Sequence, residues 1–182
     1  PYSCAYCLSG SEKGIYHKPV EEVVSEIEFM LVHKPKVIRF IDRTFNDDEQ
    51  RALEIWKYLG AKECDTLFHF EVAPDRFGKE TLTYLREVPP NRFQFETGIQ
   101  STNQKTLKEI RRVVDTEKAA TAIKQIASYK NIHIHVDLIL GLPFEDAESY
   151  SKGFSDVFYM EPHYIQMGLL KLLPNTRLDE SR

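Results

Sequence analysis

Cysteine is scarce in this chain of 182 residues: Cys4, Cys7 and Cys64 are its only thiols. Three cysteines cannot build a disulfide framework, and a domain of this length needs none. Dense runs of Lys or Arg are also missing, and 24 basic residues against 28 acidic ones leave a formal net charge of -4. That balance argues against a dedicated nucleic-acid surface. The longest apolar stretches, such as 136–142, are far too short to span a bilayer, and no charged then apolar leader opens the chain. Repeats of fixed period, low-complexity segments and linkers do not occur either. The expectation is a single cytoplasmic domain with no membrane partner.

What is present is alternation. Apolar residues at Val20, Val23, Val24, Ile27, Met30 and Leu31 fall at helical spacing and predict a helix over 18–32. A short β-branched strand follows at 36–41. A helix over 47–59 comes next, with Asn46 or Asp47 as N-cap and Gly60 as its stop. Further strands are predicted at 66–73, 92–99, 132–140 and 163–170. The helices between them cover 79–88, a short run from Ser101 or Thr102 to about 112, 117–129 and 146–159. Regular alternation means βα units with right-handed crossovers, hence an α/β fold built on a parallel sheet or barrel. A sixth strand ahead of residue 1 would place the first cysteines just after it, at the carboxyl ends of the strands, where such folds work. A chain opening at Pro1 instead of Met, two residues before a ligand motif, reads as a fragment or as a chain with an unobserved head.

Parallel strands covered on both faces are continuous apolar runs. These strands instead alternate. His69 and Glu71 interleave with Phe68 and Phe70; Gln94, Glu96 and Gln100 with Phe93, Phe95 and Ile99; His133, His135 and Asp137 with Ile134, Val136 and Leu138; Tyr164 and Gln166 with Ile165 and Met167. Period two puts each polar set on one face. The apolar sets suit a helix layer, so the polar sets turn inward, where an unpaired polar group costs on the order of 2 to 7 kcal/mol. Four strands doing so together imply a wet or ligand-filled cavity, unless the polar groups satisfy one another in a buried network.

The Cys4-x-x-Cys7 pair has several chemical uses. Structural zinc wants two more Cys or His at matching spacing, and none follows. A redox pair wants its thiols at a helix start with few other polar groups nearby. An iron-sulfur cluster accepts thiolates from a loop, and with three protein ligands it leaves one iron open. A polar cavity favours the third use without excluding the others.

Several motifs together carry a family resemblance. Residues 1–7, Pro-Tyr-Ser-Cys-Ala-Tyr-Cys, resemble the tail of the CxxxCxxC motif of the radical S-adenosylmethionine superfamily, with the first cysteine expected immediately before Pro1. Residues 38–46, Ile-Arg-Phe-Ile-Asp-Arg-Thr-Phe-Asn, are similar to the second-strand segment of the cobalamin-binding branch. Thr97-Gly98-Ile99-Gln100-Ser101 is similar to a Gly-hydrophobic-Gln-Ser signature. Residues 137–143, Asp-Leu-Ile-Leu-Gly-Leu-Pro, and 172–178, Leu-Leu-Pro-Asn-Thr-Arg-Leu, complete the series in family order.

The resemblance implies a partial six-unit (β/α)6 TIM-like barrel whose first strand lies outside this chain. Residues 1–182 would be one core domain cut from a longer protein. It also implies a 4Fe-4S cluster on three cysteines, whose open iron is chelated by S-adenosylmethionine. Reduction by a donor such as flavodoxin or ferredoxin then yields a 5′-deoxyadenosyl radical. Cys4 and Cys7 would be cluster ligands, and Tyr6 would pack near the adenine. Backbone at Asp42 and Arg43 would meet the methionyl amino group, where other branches carry Gly-Gly-Glu. Glu71, Gln100 and Asp137 match positions that bind the ribose and amino groups, and Arg112 matches an Arg that meets the methionyl carboxylate. Backbone near Gly141 and Leu170 would border the adenine.

The substrate is not legible. Asp-Arg-Thr-Phe-Asn favours a cobalamin-dependent reaction in the full-length protein, whereas coproporphyrinogen-oxidase-like and methylthiotransferase-like chemistries share the Gln-Ser and Leu-Pro motifs. A non-catalytic β/α module holding zinc or a small metabolite is the alternative of another class. His69, His133 and His135 are read as satisfied core histidines, and Cys64 as a small buried apolar residue. With only Cys4 and Cys7, the opening stretch is expected to be a mobile loop unable to hold an intact cluster, leaving this chain alone inactive. In the full-length protein reconstituted anaerobically with iron and sulfide, Cys4→Ala should abolish the cluster's visible absorbance; unchanged iron content would count against ligation.

Overall fold

The computed structural model describes residues 3–8 and 14–180. Pro1 and Tyr2 of the opening motif lie outside the described residues. Five strands, β1 (Val37–Arg39), β2 (Leu67–Glu71), β3 (Phe93–Gln100), β4 (His133–Leu140) and β5 (Tyr164–Leu169), alternate with helices. The helices are α1 (Val20–Leu31), α2 (Glu49–Gly60), α3 (Lys79–Leu85), α4 (Gln104–Glu109), α5 (Thr116–Tyr129) and α6 (Ala147–Phe158), and a last turn, α7 (Arg177–Glu180), follows β5. The strands lie in chain order, β1-β2-β3-β4-β5, each parallel to its neighbour. Right-handed crossovers between strands in chain order send every helix to the same side. The sheet therefore curls with its other face inward, as the α/β partial TIM-like barrel that the alternation predicts.

The apolar half of each alternation builds the wall between sheet and helices. Phe68, Phe70, Phe93 and Phe95 are buried against Trp56 of α2. Trp56 meets Phe70 edge-on at 5.9 Å between ring centroids and Phe95 at 5.4 Å, and Phe40 stacks on Phe70 at 4.6 Å. Such offset and edge contacts add to the area these rings bury. Arg92, at the foot of β3, is buried with its guanidinium on the carbonyls of Leu59, Lys62 and Cys64, which closes the carboxyl end of α2. Cys64 is half-buried against the core instead of fully buried.

Asp115, a cap the sequence offers for the helix over 117–129, does cap α5, but two other helix starts depart from expectation because their predicted caps are engaged elsewhere. Asp48 caps α2 by accepting from Arg51 N, and Gly60 is its last residue, not its stop. Asn46 is unavailable because it is wholly buried and reads the backbone of Ala73 on both sides, donating to its carbonyl and accepting from its N–H at 2.8 Å each. Likewise Asn103 caps α4, because Ser101 Oγ donates to Glu145 and Thr102 Oγ1 to Asp156. Among the described residues no helix is long and apolar enough to cross a membrane.

The Asn46–Ala73 clasp joins the loop after β1 to the loop after β2. Replacing Asn46 by Ala strands the buried Ala73 N–H, while the Ala73 carbonyl keeps Arg76 N as a donor at 3.2 Å, so Asn46→Ala should lose about 1 to 3 kcal/mol of stability, read as a lower urea midpoint at unchanged slope.

Candidate functional site

The carboxyl ends of β1 to β4 open on a cavity of about 760 Å³. One wall is the cysteine loop, with Cys4, Tyr6 and Cys7. The loop after β1 supplies Asp42, Arg43 and Thr44. Glu71 comes from β2; Glu96, Gly98 and Gln100 from β3; Asp137 from β4; and Arg112 from the turn after α4. A cavity of this size suits a small-molecule ligand. Nine of the residues singled out from sequence thus share one cavity: Cys4, Tyr6, Cys7, Asp42, Arg43, Glu71, Gln100, Arg112 and Asp137. Gly141 and Leu170 do not line it. They stand side by side behind it, a Cβ on Gly141 falling 3.8 Å from that of Leu170, and Leu170 packs in the cluster that includes Tyr6.

Residues 3–8 do not form the mobile loop that the sequence suggests. Ala5 N donates to Ile110 O and Leu178 N donates to Ala5 O, both at 2.9 Å, and Cys7 N closes a turn onto Cys4 O at 3.2 Å. Cys4 is buried, and Arg112 Nη1 reaches its Sγ at 3.6 Å. Tyr6 is pressed against Leu107, Ile110 and Leu142, and burial together with the neighbouring Cys4 pushes its phenol up. Residues 9–13 of the same loop lie outside the described residues.

Two neighbouring arginines part company at the end of α4. Arg111 takes a left-handed conformation (φ 54°) and stays exposed, while Arg112 turns inward onto Gly98 O. A Cβ on Gly98 would collide with the Gln100 side-chain amide, so glycine leaves room for Gln100, whereas Arg112 Nη2 would lie at ordinary contact distance, 3.6 Å.

The inward polar face resolves into two sets. At the foot of the barrel the groups pair with one another: His69 Nε2 lies 2.9 Å from Glu96, and Gln94 Nε2 lies 3.3 Å from His135 Nε2, while His69 Nδ1 stays buried without a partner. With the carboxylate as acceptor, Nε2 of His69 carries the proton. His69, His133 and His135 do not line the cavity, and only His69 is a core residue: His135 is half-buried and His133, at the start of β4, is exposed, against the expectation for both. At the top the groups line the cavity and are only partly paired, Asp137 through a side-chain hydrogen bond with Glu96. Gln100 Oε1 and Asp137 Oδ1 are buried and make no hydrogen bond, the condition a bound donor would relieve.

Acidic side chains crowd here because the parallel register aligns them. Glu71 pairs with Glu96 across β2 and β3, and Asp137 pairs with Gly98 across β3 and β4. Burial first, and then the charges of Glu96 and Glu71, push the Asp137 carboxyl up to about 7, against the pull of Arg112. Burial and then Glu96 likewise raise Glu71, with Arg43 opposing. A cation entering the cavity would reverse these shifts.

Sequence reasoning missed part of the wall. Glu96 was legible as inward-facing but carried no role. Tyr16 and His17 reach the cavity from the segment before α1, and Asp47 from the turn before α2. His17 Nε2 lies 3.0 and 3.1 Å from the two carboxylate oxygens of Asp47. Thirty residues separate that pair, and no spacing rule links them.

A parallel β/α half-barrel with a paired-cysteine loop and acidic side chains at the carboxyl ends of its strands belongs to the class that places its functional groups at that mouth. A family model, that of the Radical SAM superfamily, matches residues 1–152, and the chain belongs to that superfamily. Among curated proteins, the chain is 24% identical over 115 residues to the oxygen-independent coproporphyrinogen III oxidase of Pseudomonas aeruginosa, covering 63% of this chain and 25% of that protein. It is 29% identical over 134 residues to an uncharacterised protein of Methanocaldococcus jannaschii, covering 72% of this chain and 41% of that protein. Among solved structures, the radical S-adenosylmethionine methyltransferase TsrM of Kitasatospora setae, with cobalamin and a [4Fe-4S] cluster bound, superposes with a TM-score of 0.82 at 16% identity, over 97% of this chain and 36% of that one. The coproporphyrinogen III oxidase HemN of Escherichia coli gives 0.65 at 17% identity, over 98% and 43%. The chain therefore spans a quarter to less than half of these relatives.

No group of three or more His, Cys, Asp or Glu among the described residues is placed to hold a metal ion. Cys4 and Cys7 supply two soft ligands on one loop, facing a cavity with unpartnered acceptors, which fits an iron-sulfur cluster once a third thiolate joins them.

The raised Asp137 has a stability consequence. Between about pH 4 and about pH 7 the folded protein keeps a proton that the unfolded chain has released, so stability falls as pH rises through that window. Urea midpoints should drop from about pH 5 to about pH 8 in the ligand-free protein, and Asp137→Asn should flatten that drop.

Proposed function

We propose that this chain is the core domain of a longer radical S-adenosylmethionine enzyme. Cys4 and Cys7 then hold two irons of a 4Fe-4S cluster with a third cysteine, and the cavity binds S-adenosylmethionine. One observation carries this reading: Gln100 and Asp137, each with one buried oxygen that makes no hydrogen bond, line the same cavity as Cys4 and Cys7.

When bound, the cluster and S-adenosylmethionine supply an electron and a 5′-deoxyadenosyl radical for hydrogen abstraction. The chain's own residues bind, orient and exclude water. Glu71, Gln100 and Asp137 accept from vicinal hydroxyls and an amino group. Arg112 offers a charge-assisted contact to a carboxylate, and backbone at Asp42 and Arg43 offers carbonyls to an ammonium. Tyr6, held by Leu107 and Ile110, forms an apolar side for a purine, with Gly141 and Leu170 behind it. The carboxylates of Glu71, Glu96 and Asp137 favour a cationic occupant, which suits a sulfonium.

A cobalamin-dependent reaction in the full-length protein is supported by the higher TM-score to TsrM, 0.82 against 0.65 for HemN, and by the Asp-Arg-Thr-Phe-Asn segment. A one-electron donor such as flavodoxin or ferredoxin completes the scheme. In the anaerobically reconstituted full-length protein with dithionite, 5′-deoxyadenosine should form from S-adenosylmethionine. Asp137→Asn should weaken S-adenosylmethionine binding about tenfold, the equivalent of about 1.4 kcal/mol by equilibrium dialysis. Iron-replete protein that neither binds S-adenosylmethionine nor forms the product sinks the reading.

A further inference from the structure

Resting on the reading of Cys4 and Cys7 as holders of an electron-accepting cluster, we propose that the exposed side of α4 and the turn after it docks an acidic one-electron carrier protein. α4 is the element that grips the cysteine loop. Its Ile110 carbonyl accepts from Ala5 N at 2.9 Å, its buried Leu107 and Ile110 pack on Tyr6, and Arg112 beyond it touches Cys4. The opposite side of this short segment carries Lys105, Lys108 and Arg111, all exposed, with Glu109 as the one carboxylate among them.

None of the three cations is in an ion pair among the described residues, although the chain as a whole carries a formal net charge of -4. A basic patch on an acidic chain, directly behind the thiols, is electrostatically complementary to an acidic partner and would steer its encounter. Val113, 82% exposed beside Arg112, and Leu8, 53% exposed beside Cys7, add apolar contact area at its border. The three cations lie outside the cavity, spread along the exposed side of segment 105–111. They suit an extended protein surface better than a small anion. On the other flank, Leu178 binds Ala5 O next to exposed Arg177, but Asp179 and Glu180 follow at once, so the positive field belongs to the α4 side. In the step served, the carrier is oxidised by one electron and the cluster is reduced by one; no proton or group moves.

The test compares the full-length protein with its Lys105→Glu, Lys108→Glu, Arg111→Glu variant, using an acidic flavodoxin as carrier. Binding of oxidised flavodoxin to the cluster-free protein, measured by biolayer interferometry at low ionic strength, should weaken at least tenfold in the variant, with its salt dependence flattened. In reconstituted protein, 5′-deoxyadenosine formation at limiting reduced flavodoxin should fall by a similar factor. Formation driven by dithionite, which needs no docking, should be unchanged and so reports an intact fold. Equal flavodoxin binding by both proteins overturns the proposal. So does a wild type that binds single-stranded RNA but not flavodoxin through these residues. A wild type that forms no product even with dithionite defeats the reading of the cavity instead, and the binding arm still decides the surface.

Discussion

In a parallel sheet whose strands lie in chain order, all the helices pack on one face, and the other face must be covered by something else. Here that constraint governs the rest of the structure. The helix side receives Phe68, Phe70, Phe93, Phe95 and Trp56 as a dry aromatic layer. The inner side receives carboxylates, amides and imidazoles that no helix could cover without leaving polar groups unpaired. Curling the sheet lets those groups meet each other low in the barrel, through His69–Glu96 and Gln94–His135. Higher up, where the loops splay, they remain open to a ligand.

Charge inside the cavity follows from the same register. Because Glu71 stands beside Glu96 and Asp137 beside Gly98, three carboxylates share a partly desolvated space with two arginines at its edge. Burial first, and then their mutual repulsion, raises Asp137 and Glu71. Preorganised repulsion of this kind makes the empty site costly and a cationic occupant favourable. The backbone clasps around it, Asn46 on Ala73 and Ala5 between Ile110 and Leu178, hold the loops that such a site needs to be rigid.

Much of this arrangement was legible in the residues. Period-two alternation on four strands predicted an inward polar face, and nine residues named from motifs line one cavity. The failures were local or distant. Helix caps were misassigned because Asn46, Ser101 and Thr102 are used in tertiary hydrogen bonds, which a cap rule based on nearest neighbours does not see. The wall contributed by His17 and Asp47 was invisible because a contact across thirty residues leaves no periodic trace. The cysteine loop looked mobile because its anchors, Ile110 and Leu178, lie far along the chain.

Local chemistry written into the chain was enough to determine the order of strands and helices, the face each strand side chain takes, and the pairing of two thiols, Cys4 and Cys7, on one loop. These depend on the pleat, the helical repeat and the identity of neighbouring residues, all of which a linear string contains. Only the tertiary structure decided which polar groups are spent on one another and which stay open. It also separated Arg112, turned into the cavity, from Arg111, left on the surface. That division arises when curvature and loop closure bring distant residues within hydrogen-bonding reach.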